Sequence, residues 1–144
     1  MKHFLSFAPA LTLALMTSSV LIAGAAKDPA PPEPKYDTAT VIDVNATITA
    51  QREVPKGSPM AGLHLAVKVG SEDLDVYVGP TEFVKIFEVT FKKGDSIHLI
   101  GSKVTFQEAT VVLARDITLG TITLSLRDNS GEPLWKFFLK PPVG

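Results

Sequence analysis

Residues 94–117 read Gly94-Asp95-Ser96-Ile97-His98-Leu99-Ile100-Gly101-Ser102-Lys103-Val104-Thr105-Phe106-Gln107-Glu108-Ala109-Thr110-Val111-Val112-Leu113-Ala114-Arg115-Asp116-Ile117. Gly94-Asp95 is a turn signal. Ile97 and Leu99 alternate with His98 and Ile100, which is the period of a strand. Gly101 interrupts that run, and a glycine inside a strand marks a bend or a bulge. Gln107-Glu108-Ala109 is a short polar connection, after which a second β-branched run returns. The stretch is a hairpin whose first arm bends at Gly101.

Working outward, the chain before this hairpin also reads as strands. From Thr38 to Val54, the residues Ile42, Val44, Ala46, Ile48 and Ala50 share one face. Asp43, Asn45, Thr47, Thr49 and Gln51 share the other. Alternation of this kind describes a strand with one face in a core. Pro55-Lys56-Gly57-Ser58-Pro59 ends it. Leu63, Leu65, Val67 and Val69 form the inner face of a second strand, and Leu74, Val76 and Val78 that of a third. Residues 80–89 are the one credible helix of the folded part, with Phe83, Ile86 and Phe87 at helical spacing. It is too short to be stable alone, so it should plug one end of the sheet. Beyond Ile117, residues 121–126 alternate again and Asp128-Asn129-Ser130-Gly131 is a turn. Residues 134–139 read as a last strand or extended segment, giving an extra C-terminal hairpin.

The N-terminal third is organised differently. Residues 1–25 read as a signal peptide: Lys2 and His3, an apolar run from Phe4 to Ile22, then Ala23-Gly24-Ala25 as a small-residue exit. Residues 26–37 form a proline-rich linker, and residues 38–140 the folded domain. This arrangement predicts an exported protein, periplasmic or secreted, without a stable membrane anchor once the leader is cleaved. The formal net charge is −1, which leaves no electrostatic footprint for duplex nucleic acid or an anionic membrane surface. The chain has no cysteine, so disulfides, cysteine-zinc sites, thiol nucleophiles and a lipid-modified cysteine are excluded.

The order of three strands, a short helix, two strands and an extra hairpin resembles an OB-fold. The expected class is therefore all-β: an OB-like five-stranded Greek-key barrel with one short helix between strands 3 and 4. Gly94-Asp95-x-Ile97-x-Leu99-x-Gly101-x-x-Val104, closing on Ala114-Arg115-x-Ile117, is similar to the last hairpin of many OB domains. Among exported proteins the chain resembles small periplasmic bacterial OB-fold proteins. It is also similar to secreted bacterial proteins sharing Gly62-x-His64-Leu65, Gly79-Pro80, Lys93-Gly94-Asp95 and Leu126-Arg127-Asp128-x-x-Gly131-x-Pro133-x-Trp135. The latter resemblance brings no assigned activity with it.

No serine stands in a nucleophile elbow, and no phosphate loop or dinucleotide fingerprint occurs. We therefore expect no catalytic residues, no enzyme activity and no cofactor. The expected role is an accessory or ligand-binding module of the cell envelope whose partner is an envelope protein or a small ligand. Its candidate binding residues are His64, Lys68, Asp75 and Tyr77 on the outer face of strands 2 and 3, with Lys56 in the loop from Arg52 to Gly62 that borders that face. Two alternatives accompany it. His64 and His98 could together start a metal site, although strand 1 lies between their strands in an OB barrel. An oligonucleotide could occupy the same face, although one tyrosine and the acidic Glu72-Asp73-x-Asp75 run make a poor platform. Arg127 and Trp135 are candidate interface anchors. Their structural reading is a braced turn and a cap on the barrel mouth.

Overall fold

The computed structural model describes residues 33–139. The signal peptide and residues 26–32 of the linker lie outside the described residues. Residues 33–37, grouped with the linker by composition, lie against the barrel. The amide of Asp37 donates to Ser102 Oγ at 3.0 Å, and Ser102 Oγ donates back to Asp37 O at 2.9 Å. Asp37 then caps a 3-10 turn over Thr38–Thr40. The fully buried Ser102 hydroxyl is thus satisfied by the entering chain, as a buried polar group must be.

Six strands follow the expected order: β1 (Val41–Val54), β2 (Gly62–Val69), β3 (Glu72–Gly79), β4 (Ser96–Phe106), β5 (Ala109–Leu119) and β6 (Ile122–Ser125). Helix α1 (Thr81–Lys85) stands between β3 and β4, and α2 (Trp135–Phe138) follows β6. The sheet order is β3-β2-β1-β4-β5-β6, and β3 also pairs in parallel with β5 from Asp75↔Val111 to Tyr77↔Leu113. That pairing closes a ring of five strands and leaves β6 outside it. This is the OB-like barrel that the order of elements implies. Strand β1 serves both halves: residues 41–47 pair with β4, and residues 47–54 with β2.

The inward alternation fills the barrel. Ile48, Leu65, Val67, Val76, Leu99 and Ile117 are all fully buried in one core, and Phe83 from α1 closes one end of it. Two irregularities set the geometry. The β1–β2 register shifts between Ile48 and Ala50, so Ala50 is exposed and does not continue the inner face as its spacing predicts. The β4–β5 register shifts between Ile100 and Gly101. A Cβ on Gly101 would lie 2.5 Å from Leu113 O, which explains the glycine at the bend. A Gly101→Val variant is expected to lose about 2–3 kcal/mol, read as a lowered urea midpoint, with folding failing before any binding does.

A second, smaller cluster lies outside the barrel over the β3–β5 seam. Met60, Tyr77, Val111 and Leu113 are buried there, with Tyr36, Phe106 and Trp135 packed against them. The parallel seam is only three residue pairs long, and Tyr36 and Trp135 cover it. The C-terminal segment differs from the expected strand. The turn at Asp128–Gly131 forms, with an Arg127↔Pro133 bridge and Leu134 N donating to Leu126 O at 3.0 Å. The chain then coils into α2. Coiling separates what an extended strand could not: Trp135 packs on Phe83 and Tyr77, while Phe137 and Phe138 face outward. Residues 80–89 likewise contain less helix than expected, since α1 stops at Lys85. Phe83 is buried and Phe87 half-buried, but Ile86 is exposed.

Candidate functional site

The outer face of β2 and β3 lies between two walls. One is the β1–β2 loop, residues 55–61. The other is the β4–β5 return, where Gln107 and Glu108 both have positive φ (49° and 66°), as a tight two-residue hairpin turn requires. Between them is a cavity of about 660 Å³, with Pro59, Met60, Phe106 and Val111 on its apolar sides. Arg52, His64, Asp73 and Asp75 supply its polar groups.

The floor is a chain of charged contacts. Arg52 Nη2 donates to Asp75 Oδ2 at 2.9 Å. His64 Nδ1 lies 3.2 and 3.3 Å from the two oxygens of the same carboxylate, and His64 Nε2 is 2.7 Å from Met60 O. Both neighbours of the imidazole are acceptors. Burial alone would raise the Asp75 carboxyl. The hydrogen bond and charge of His64, and then those of Arg52, outweigh it and hold Asp75 below the usual carboxylate range.

Met60 is fixed from both sides. It has a positive φ of 55°, a costly conformation for a residue with a side chain. Its N–H donates to Glu33 Oε1 at 3.0 Å, and its carbonyl accepts from His64. Tyr77 Oη donates to the next carbonyl, Ala61 O, at 2.9 Å. Burial first, and then the charge of Glu33, push the Tyr77 hydroxyl up, so it stays a donor. Three side chains from three parts of the chain therefore hold the wall of the groove.

The sequence-derived residues divide accordingly. His64, Asp75 and Tyr77 come together, but not as an exposed platform. His64 is 1% exposed and Tyr77 3%, because the β1–β2 loop and the outer cluster cover them. Of the three, Asp75 keeps the most contact with the groove. Lys56 points away and pairs with Glu82 at 3.0 Å. Lys68 lies toward the other end of β2, 3.9 Å from Asp73, and opens on a separate cavity with Asn45, Ser96 and His98. His64 and His98 do not form the pair a shared metal needs. Their register partners on β1 are Arg52 and Asn45, seven residues and thus roughly 20 Å of extended chain apart. His98 Nε2 instead contacts Asp43 Oδ1. Among the described residues no group of three or more His, Asp or Glu is placed to hold a metal ion.

Arg127 and Trp135 adopt their structural roles. Arg127 Nη1 donates to Gly131 O at 2.9 Å, and its guanidinium lies 4.9 Å from the Trp135 ring and 5.9 Å from that of Tyr36. Gly131 is required here, because a Cβ would lie 2.3 Å from the Tyr36 ring. Arg52 and Met60 fall within the expected loop from Arg52 to Gly62, and Phe106 is the site residue that sequence reasoning missed. Phe106 precedes the return turn of an OB-like hairpin, and that position was the available signal.

With the geometry in place, comparison with known proteins gives one family. The model of the MamS/MamX magnetosome protein family matches residues 40–124, more than half of the 144-residue chain and nearly all of the barrel. No curated protein matches the chain.

Proposed function

The chain belongs to the MamS/MamX magnetosome protein family, and we propose that it is an accessory, non-catalytic binding module of the cell envelope or the magnetosome. Its ligand is a segment of a partner protein, seated in the groove over β2 and β3. The observation that carries this reading is the groove wall itself. Glu33, His64 and Tyr77 all hold the backbone of Met60 and Ala61, so the site is formed before any ligand arrives. Preorganisation of that kind lowers the entropic cost of association. Apolar Met60, Phe106 and Val111 beside Arg52 and two carboxylates suit a polypeptide with an apolar anchor and a neighbouring charge. The same carboxylates oppose a phosphate backbone, whose binding rests on uncompensated cations.

Affinity capture from an envelope fraction, with the natural chain and with Arg52→Ala and Phe106→Ser, tests the reading. Each variant is expected to weaken retention of the captured partner about tenfold, the loss typical of an anchor residue. Both side chains are partly exposed, so a thermal melt within a few degrees of the natural chain separates lost binding from lost folding. A partner held equally by all three proteins removes the groove from consideration.

A further inference from the structure

The groove over β2 and β3 is lined by four groups that can carry charge: Arg52, His64, Asp73 and Asp75. Three of them answer one another. Arg52 Nη2 donates to Asp75 Oδ2, and His64 Nδ1 lies against the same carboxylate. Asp73 stands apart. It lies on the face that carries Asp75 and Tyr77, since alternate residues of a strand share a side. Its counter-ion is Lys68, the cross-strand partner on β2, whose Nζ is 3.9 Å away and beyond hydrogen-bond reach. The Asp73 side chain is 78% exposed and that of Lys68 50%. An ion pair so open to water is screened and weak. The neighbouring Glu72 is already held by Lys103 at 2.8 Å. Asp73 is thus the charge of the lining that no hydrogen bond from a described residue answers.

This inference rests on the assignment of the groove to a segment of a partner protein. We propose that Asp73 sets the charge of that segment: it carries a lysine or arginine against Asp73 and a large apolar side chain between Met60 and Phe106. A seated segment excludes water from the carboxylate, and a charge taken out of water needs a partner. A basic side chain supplies one and displaces Lys68. An acidic one would bring like charges together, the arrangement that rejects a wrong partner. The Arg52–Asp75–His64 contact stays intact, because its members already hold one another. Lys68 competes with the ligand for Asp73, so its removal strengthens binding.

The test is a displayed library of random short peptides, selected on the natural chain and on Asp73→Lys. The natural chain should enrich peptides in which a lysine or arginine stands near a large apolar residue. Asp73→Lys should enrich an acidic residue at that place instead. With one enriched basic peptide made synthetically, Asp73→Asn should weaken binding about fivefold and Lys68→Ala should tighten it about twofold. Added salt should narrow the difference between the natural chain and Asp73→Asn. Enriched peptides that lack a base, or a basic preference that persists in Asp73→Lys, overturn the role of Asp73 alone, if Phe106→Ser still loses those peptides. Peptides held equally by Arg52→Ala and Phe106→Ser, or no enrichment at all, remove the groove reading and this inference with it. Asp73 belongs to neither core cluster, so a thermal melt within a few degrees of the natural chain identifies the variants as folded.

Discussion

Gly62→Val is expected to lose at least about 4 kcal/mol of folding stability, a large part of the ~5–15 kcal/mol that holds a domain of this size. Gly62 has φ +127°, and a Cβ there would lie 2.1 Å from Gly79 O and 2.7 Å from Pro80 Cα. Two costs add. The conformation is one that side chains rarely adopt, worth about 1–3 kcal/mol. The clash is with backbone, so relief requires β2 to move away from the end of β3, where Leu63 pairs with Gly79. That movement would also carry the β1–β2 loop and α1. Gly57→Ala is the comparison that separates the terms. Gly57 also has positive φ, but a Cβ there meets nothing within 4 Å, so only the conformational cost, about 1 kcal/mol, is expected. Urea unfolding of Gly57→Ala, Gly62→Ala and Gly62→Val should give losses in that order. A Gly62→Ala variant as stable as the natural chain would show that the two backbones are not in contact.

The fold was legible because its signals are local. Period-two alternation in residues 42–48, 63–69 and 97–99 defines which side chains enter the core, and that core is the one observed. Gly101 announced its bend, and Phe83 its plug. The site was less legible because it depends on events that no local pattern encodes. The register shift after Ile48 turns Arg52 toward Asp75, and nothing in residues 48–52 announces a bulge. His64 and Tyr77 occupy outward positions, as their spacing implies. They are nonetheless buried, since residues 33–36, the loop around Met60 and Trp135 close over that face. Coverage of an outer sheet face by residues distant in sequence is a tertiary fact, and alternation cannot see it. The α2 segment failed for a related reason. Trp135 has a pocket over Gly79, Phe137 has none, and only a helical turn sends them in different directions.

Coverage of that outer face also makes His64 the residue on which the groove depends most. Replacing it with phenylalanine preserves the volume and removes both ring nitrogens. Met60 O, which now accepts at 2.7 Å, loses its buried partner, and Asp75 keeps only Arg52. Leaving a buried acceptor without its partner costs about 1–3 kcal/mol. His64→Phe is therefore expected to be destabilised by about 2 kcal/mol and to lose groove binding. His64→Gln can still donate to one acceptor and should lose roughly half as much. The same contact sets an acid limit. The Asp75 carboxyl is held below its unfolded value, so its contribution is complete above the ordinary aspartate pKa of about 3.9 and is lost as pH falls through the folded value. The natural chain should therefore exceed Asp75→Asn in stability at pH 6, and the difference should shrink as pH falls below the ordinary aspartate range and through the lowered folded value. Parallel urea curves for the two proteins across that range measure it. An Asp75→Asn variant equally stable at pH 6 would mean that the His64–Asp75–Arg52 contact contributes nothing to holding the groove.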